Sequence, residues 1–397
     1  MKFIHTADLH LASPFQGLTS MPDQLWKQIY NSTFAAFRQI VDAAIAQQVD
    51  FVLITGDIYD GERKSIAAVD FFRQQVSRLN DHHIPVFLSY GNHDFQKNAG
   101  DDPNLPANVH VFGNQVSTSQ LKLADGTIVA VTGFSYGQRW IDDDLTSQFP
   151  VKGTVDWQIG MLHGALYQAG TGNHYAPFTL DELKSKNYDY WALGHIHKHQ
   201  LLASEPPIVY SGNPQGRHKN EGGVHGYYLV HDEGNKLVPE FKALNGITWE
   251  QVAVDLSECG SENEVDQAIR TAIIPSKQLQ LVEIVATTGS KWRSLVEDGS
   301  LLDHFQDELS RQPAINWWPY QINLTGGQKL PELTNLDQDY WQQAEQDVFT
   351  DENLAAVIKP LLKHAPLYDQ FTEHRDLGEY QKLAGRLLGK RGDHDED

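Results

Sequence analysis

Apolar residues recur along this chain in two rhythms, and their alternation sets the expected fold. Short, nearly unbroken apolar runs read as buried strands: Lys2-Phe3-Ile4-His5-Thr6, Phe51-Val52-Leu53-Ile54-Thr55, Pro85-Val86-Phe87-Leu88-Ser89, Trp157-Gln158-Ile159-Gly160-Met161-Leu162 and Tyr190-Trp191-Ala192-Leu193. Between the early runs lie stretches with helical spacing. Residues 23–49 carry Leu25, Ile29, Phe37, Ile40, Val41, Ala44 and Ile45 in one stripe. Residues 65–80 carry Val69, Phe72, Val76 and Leu79, with Ser65 placed to cap the helix. Strand, helix and strand in succession predict parallel βαβ units. From Leu121 the rhythm changes. Residues 121–123 and 127–131 around Asp125-Gly126 read as a hairpin, and 207–210, 226–230 and 236–243 as further strands. The expected fold is α/β: a two-layered β-sandwich flanked by helices, spanning residues 1–245.

Past Asn245-Gly246 the texture shifts again. Strand-like 249–256, helix-like 262–273, strand-like 279–286 and helix-like 292–296 predict a small α+β accessory domain over residues 246–330. Residues 331–397 read as a helical C-terminal segment, with Leu354, Val357, Ile358, Leu361 and Leu362 on one stripe.

Each of the five early runs ends in groups that carry chemistry. They lead into Asp8-Leu9-His10, Gly56-Asp57-Ile58-Tyr59-Asp60, Gly91-Asn92-His93-Asp94, His163-Gly164 and Gly194-His195-Ile196-His197. In open α/β sheets the carboxyl ends of the strands are where ligands bind. Two adjacent divalent ions need nitrogen and oxygen ligands, one carboxylate to bridge them, and open positions for water and substrate. Asp57 is the natural bridge; Asp8, His10, Asn92, His163, His195 and His197 supply the remaining donors. Any one of these histidines alone reads as a core or surface residue, but the ordered set of five segments reads as a metal centre. His5, inside the first strand, reads as a core histidine. Trp317-Trp318 reads as a packing pair, with stacking on an unpaired base as the sharper alternative.

Composition narrows the partners. The formal net charge is −21, from 52 acidic against 31 basic side chains. That argues against a broad basic clamp for nucleic acid. It leaves a metal-dependent phosphodiesterase open, because bound cations reverse the local sign. The single cysteine, Cys259, excludes an intramolecular disulfide and a thiolate zinc site. No apolar run approaches the ~20 residues that span a bilayer, and the first residues lead straight into a strand. No membrane segment and no secretory leader are expected, and a cytoplasmic location is.

Taken together, Asp8-x-His10, Gly56-Asp57-x-x-Asp60, Gly91-Asn92-His93-Asp94, His163-Gly164 and Gly194-His195-x-His197 resemble the motif set of the calcineurin-like metallophosphoesterase superfamily. Residues 5–11 and the segment Tyr210-Ser211-Gly212-Asn213-Pro214-Gln215-Gly216-Arg217 resemble SbcD-type DNA repair exonuclease subunits, and within them the YhaO-like branch. The resemblance implies one ion held by Asp8, His10, Asp57 and His197, and a second by Asp57, Asn92, His163 and His195. It implies manganese-dependent 3′-to-5′ digestion of DNA by in-line attack on phosphorus, with residues 246–330 as a cap over the site. The expected partner is an SbcC-like ATPase with a long coiled coil, docked by the C-terminal helices; a homodimer is also allowed. His93 is expected to protonate the leaving alkoxide, a role worth typically 10²–10⁴ in rate. Asp60 would orient it, although archaeal and eukaryotic repair nucleases usually carry His at that position. Asp94 is open between supporting the site and a purely structural role. Arg217 and His218 are candidates to touch a substrate phosphate. The rival readings are a phosphodiesterase or phosphatase for a small nucleotide, which the acidic charge favours, and a non-catalytic scaffold, which the complete ligand set disfavours.

Overall fold

The computed structural model describes residues 1–397 apart from 14, 16–17, 19–20, 62–63, 101–103, 168–173, 313 and 326–397. In chain order the first strands are β1 (Lys2–Thr6), β2 (Phe51–Thr55), β3 (Val86–Ser89), β4 (Val109–Val111), β5 (Ser117–Lys122), β6 (Ile128–Gly133), β7 (Trp157–His163) and β8 (Tyr190–Gly194). They are followed by β9 (Gln200–Ser204), β10 (Pro207–Tyr210), β11 (Gly226–Glu233), β12 (Lys236–Ala243), β13 (Thr248–Asp255), β14 (Gln280–Thr287) and β15 (Trp317–Leu324). The helices are α1 (Asp23–Tyr30), α2 (Ser32–Ala46), α3 (Ile66–Asp81), α4 (Leu180–Ser185), α5 (Glu262–Ala272), α6 (Ser290–Glu297) and α7 (Ser300–Ser310).

Two six-stranded sheets form the sandwich, ordered β12-β11-β1-β2-β3-β4 and β5-β6-β7-β8-β10-β9. Within the first, β1, β2, β3 and β4 run parallel. Within the second, β6, β7, β8 and β10 do. The unbroken apolar character of β1 to β3 follows from burial on both faces. Phe3, Phe51, Leu53 and Phe87 point inward against Val131, Ile159, Met161 and Tyr190 of the other sheet. Their neighbours Ile4, Val52, Ile54 and Leu88 point outward against Phe37 and Ile40 of α2 and Phe72 and Val76 of α3. On the outer face of the second sheet, Trp191 of β8 and Tyr210 of β10 are covered by Leu183 of α4 and Phe149. The architecture is helix, sheet, sheet, helix.

The stretch 23–49 is two helices rather than one. At the break, Asn31 Nδ2 donates to the Lys27 carbonyl at 2.8 Å and Ser32 Oγ to the Ile29 carbonyl at 2.7 Å, so side chains compete for the backbone acceptors. Ser65 sits at the cap of α3 with extended backbone but makes no side-chain cap bond.

Residues 248–324 carry a separate three-stranded sheet, β13-β14-β15, in which β13 and β14 are parallel and α5 makes the crossover. Trp318 is buried in this sheet against Trp249 and Leu281, and together they pack on Leu25 and Ile29 of α1. Burial removes Trp318 from any base-stacking role. The root of this sheet is also bonded to the loop after β10. Gln215 donates to the Ile247 carbonyl at 2.8 Å and accepts from Ile247 N–H at 3.0 Å, and Trp249 Nε1 donates to the Gly216 carbonyl at 3.1 Å. Met1–Asn323 forms one compact unit. The expected helical segment 331–397 lies outside the described residues. No helix among the described residues is long and apolar enough to cross a membrane.

Candidate metal centre

The parallel strands place their carboxyl ends side by side, and short backbone bonds lace the loops that follow. Asp8 N–H donates to the Gly56 carbonyl at 3.1 Å, His10 N–H to that of Asp57 at 3.0 Å, and Gly56 N–H to that of Ser89 at 3.1 Å. The loops turn sharply. Asp8, His10, Asp57 and His195 have φ of 53°, 42°, 51° and 96°, a left-handed region that costs a side-chain-bearing residue energy and is retained where function requires it. Asp94 pins two of these loops together. Its carboxylate accepts N–H bonds from Ile58 at 2.8 Å, Tyr59 at 3.2 Å and Gly91 at 2.8 Å. Burial, then the charge of nearby Asp57, raises its pKa to about 6. The hydrogen bonds make it a structural tie between the loops.

Asp8, His10, Asp57, Asn92 and His163 are all buried, and their donor atoms converge from both sheets. In one half, His10 Nε2 and His197 Nε2 face each other at 3.2 Å with Asp8 close by. In the other, Asn92 Oδ1 lies 2.9 Å from His163 Nε2 and 3.2 Å from His195 Nδ1. Asp57 reaches both halves, with Oδ2 3.3 Å from His163 Nε2 and 3.8 Å from His10 Nε2. Asp8 also accepts the His195 N–H at 3.0 and 3.1 Å through its two oxygens.

The protonation pattern tests whether cations fit. His163 Nδ1 lies 3.1 Å from the Thr55 carbonyl, which can only accept, so Nδ1 carries the proton and Nε2 turns a lone pair to Asn92 and Asp57. His197 Nδ1 lies 2.6 Å from Glu221 Oε1, and His10 Nδ1 lies 3.1 Å from Asp60 Oδ1. With each Nδ1 turned to a carboxylate, the two Nε2 atoms face each other at 3.2 Å, where lone pairs meet unless one ring takes a proton. Burial opposes a charge on His197, but Glu221 outweighs it and raises its pKa. Lone pairs facing lone pairs, beside two buried carboxylates, are the donor set a pair of divalent cations requires. Without them a proton serves as the counter-charge. Burial opposes a charge on His163, but Asp57 and Asp8 outweigh it and raise the pKa to about 9. Burial, helped by the Arg217 charge, lowers that of His10 to about 3 and keeps it neutral, as a ligand must be. Burial works against the Asp57 charge as well, yet His163 and His93 hold that carboxyl well below the usual range.

His93 stands at the rim, its side chain 19% exposed. Its ring meets that of His10 edge-on at 4.9 Å, and its backbone N–H donates to Asp57 Oδ1 at 3.0 Å. Asp60 lies 4.0 Å from His93 Nδ1, beyond hydrogen-bond reach, and is engaged more closely by His10, by Arg217 Nη1 at 2.5 Å and by Ser13 Oγ at 2.9 Å. Arg217 is turned inward, only 12% exposed. His218 accepts Asn220 N–H at 3.2 Å and does not join the converging donors. His5 lies beneath the site in the core, bonded to Tyr190 Oη at 3.0 Å and the Leu193 carbonyl at 3.2 Å. Glu221, absent from the sequence reading, is bonded to His197, to Asn213 Nδ2 at 2.9 Å and to Arg217 N–H at 2.7 Å. No local motif marks it, because its histidine partner lies 24 residues away. Elsewhere Asp266, His304 and Glu308 gather on the smaller sheet's helices, but Arg270 already bonds Asp266 at 2.9 Å and Glu308 at 2.5 Å.

Comparison with known proteins bears on this centre directly. A family model described as calcineurin-like phosphoesterase matches residues 1–199. The chain is 34% identical to a protein called uncharacterized metallophosphoesterase YhaO of Bacillus subtilis, over 98% of each chain. It is 27% identical to the DNA double-strand break repair protein Mre11 of Thermoplasma acidophilum, over 59% of this chain and 61% of that one. The corresponding protein of Methanocaldococcus jannaschii is 25% identical over 66% and 72%. Among solved structures, a dimetal phosphatase from Danio rerio aligns with 61% of this chain and 96% of its own, at 12% identity and a TM-score of 0.39. The chain belongs to the calcineurin-like phosphoesterase family, metal-dependent hydrolases with a dinuclear centre.

Proposed function

We propose that this protein is a two-metal phosphodiesterase that degrades DNA from an end, with His93 as the proton donor. The observation that carries the reading is the position of His93 at the rim of the converging donors, its ring edge-on to His10 and its backbone N–H tied to Asp57. The similarity to Mre11 repair proteins supports DNA as the substrate. In this reading Asp8, His10, Asp57 and His197 hold one ion and Asp57, Asn92, His163 and His195 the other. When bound, the ions supply positive charge for the phosphoryl oxygens and a water nucleophile at neutral pH. The chain's own groups do the rest. The buried carboxylates fix the ligand geometry, the loops exclude bulk water, and His93 delivers its proton to the leaving alkoxide. The nitrogen and oxygen donors, with no thiolate, suit manganese.

A flank of aromatic residues fits a nucleic-acid strand. The Tyr175 ring lies 4.3 Å from that of His195, and its segment bridges to Ile141, beside exposed Trp140. Tyr167, also exposed, donates its backbone N–H to the carbonyl of buried Phe178 at 2.8 Å. A coiled-coil ATPase is proposed as partner, with residues 331–389 as its docking segment. Deleting that segment should abolish ATPase binding and spare cleavage of a generic phosphodiester.

The test is degradation of end-labelled linear duplex DNA with Mn²⁺ by wild type and His93→Ala. Laddering from one end by wild type only is the expected result. The net charge of −21 favours a small-nucleotide substrate instead. DNA left intact, with and without the ATPase, while a small phosphodiester is cleaved, would establish that rival.

A further inference from the structure

We infer that Asp60, Arg217 and Glu221 act as one outer shell that sets the affinity of the ion position built from Asp8, Asp57, His10 and His197. The inference rests on the dinuclear centre and not on the choice of DNA as substrate. It assigns Asp60 and Arg217 to the metal, not to His93 or a substrate phosphate.

The geometry is a closed ring. Starting where the two Nε2 atoms face each other at 3.2 Å, it runs through His10 to Asp60 at 3.1 Å and from Asp60 to Arg217 at 2.5 Å. From Arg217 it reaches Glu221, which accepts the backbone N–H at 2.7 Å and lies 3.9 Å from Nη2. It returns from Glu221 to His197 at 2.6 Å. Each imidazole of this half faces a carboxylate with its far nitrogen, His197 through a hydrogen bond to Glu221 and His10 across 3.1 Å to Asp60 without hydrogen-bond alignment. The arrangement favours the tautomer turning Nε2 to the ion. Two such carboxylates alone would make the rings more basic and draw protons onto the ligand nitrogens. A cation shared between them offsets that pull. The planar fork of arginine can face both carboxylates, which a lysine ammonium does less well. Ser13 Oγ completes the ring by donating to Asp60 at 2.9 Å while accepting from Arg217 at 2.8 Å. The loop bearing Arg217 is held in turn by Ile247 and Trp249 at the root of the smaller sheet.

Among the described residues the other ion position has no such ring. Its His163 is oriented by the Thr55 backbone carbonyl. The two positions should therefore respond differently to loss of the ring.

The experiment titrates chelator-stripped, full-length protein with Mn²⁺ alone, by calorimetry, with no DNA present. Wild type should bind two ions. Asp60→Asn, Glu221→Gln and Arg217→Gln should each keep one ion at wild-type affinity and weaken the other about 10–100-fold, the usual cost of losing an outer-shell partner. Arg217→Lys should recover part of the loss. Asn92→Ala should weaken the opposite ion, and combined with Glu221→Gln should leave no tight site. Wild-type binding of both ions in the three ring variants, or equal weakening of both ions, would overturn the inference. Melting curves of the metal-free proteins identify any variant that does not fold. If Arg217→Gln is one, the two carboxylate variants decide. Binding of a single ion by wild type would instead refute the dinuclear reading beneath it.

Discussion

The two halves of the metal centre are built from the same residue types but by different means. The half containing His163, Asn92 and His195 is held by backbone and by crowding. The Thr55 carbonyl orients His163, and a Cβ added at Gly56 would sit 2.1 Å from His163 Nδ1. One added at Gly91 would sit 2.2 Å from Asp57 Oδ1, and one at Gly194 would sit 2.0 Å from the Thr55 carbonyl. The half containing His10 and His197 is held by charge, through Asp60, Arg217 and Glu221. A ligand oriented by a carbonyl in a close-packed core has one available arrangement. A ligand oriented by ion pairs can be tuned one side chain at a time. The contrast predicts that damage to the first half is all-or-none and damage to the second is graded.

The largest expected effect breaks the crowded half. Gly56→Ala must displace His163 and also place a methyl at φ +81°, which favours glycine. It should abolish phosphodiester hydrolysis and remove an ion, read by turnover and by metal content. Full activity with two ions would contradict the crowding argument. Next, His93→Ala should lower kcat by about 10²–10⁴ while leaving Mn²⁺ stoichiometry at two, because His93 serves the leaving group and not the ions.

Acid should strike the floor shared by both halves. His5 is fully buried, and burial lowers its folded pKa to about 3 against 6.5 for the free side chain. Between these values the unfolded chain binds more protons than the folded one. Stability supplied by neutral His5 is present above pH 6.5 and is lost as pH falls toward 3, at up to about 1.4 kcal/mol per pH unit. Urea midpoints of metal-free protein from pH 7 to 5 should show this slope, and His5→Gln should reduce it, leaving the share of His10, whose pKa burial also lowers to about 3. The smallest effect concerns the flank. Trp140→Ala should weaken single-stranded DNA binding by about 1–3 kcal/mol, the range of one base–aromatic stack, without changing metal content. Unchanged binding would remove the aromatic flank from the substrate path.

The strand ends were legible because burial on both faces of β1, β2 and β3 leaves an apolar run that no amphipathic element shares. The donors were legible because each directly follows such a run. What was not legible depends on contacts distant in sequence or on competition within a segment. Asn31 keeps helical spacing on both sides of a break made by its own side-chain bond to Lys27. The short strand β4 and the half-exposed β9 carry too little pattern to stand out. The helix α7 and strand β15 were missed, although Trp318 of β15 is buried as a packing residue, as its sequence suggested. The family resemblance implies Asp60 as a partner for His93, yet the fold brings Arg217 from 157 residues away to claim it. Glu221 has no signature except the structure.

The most direct test of the account is a back-titration of chelator-stripped protein with Mn²⁺, following ions bound per chain and cleavage of a generic phosphodiester in the same samples. The account predicts two ions per chain, with turnover appearing only as the second is taken up and absent throughout in Asn92→Ala. Full turnover with one ion, or two bound ions and no cleavage of any phosphodiester, would contradict it.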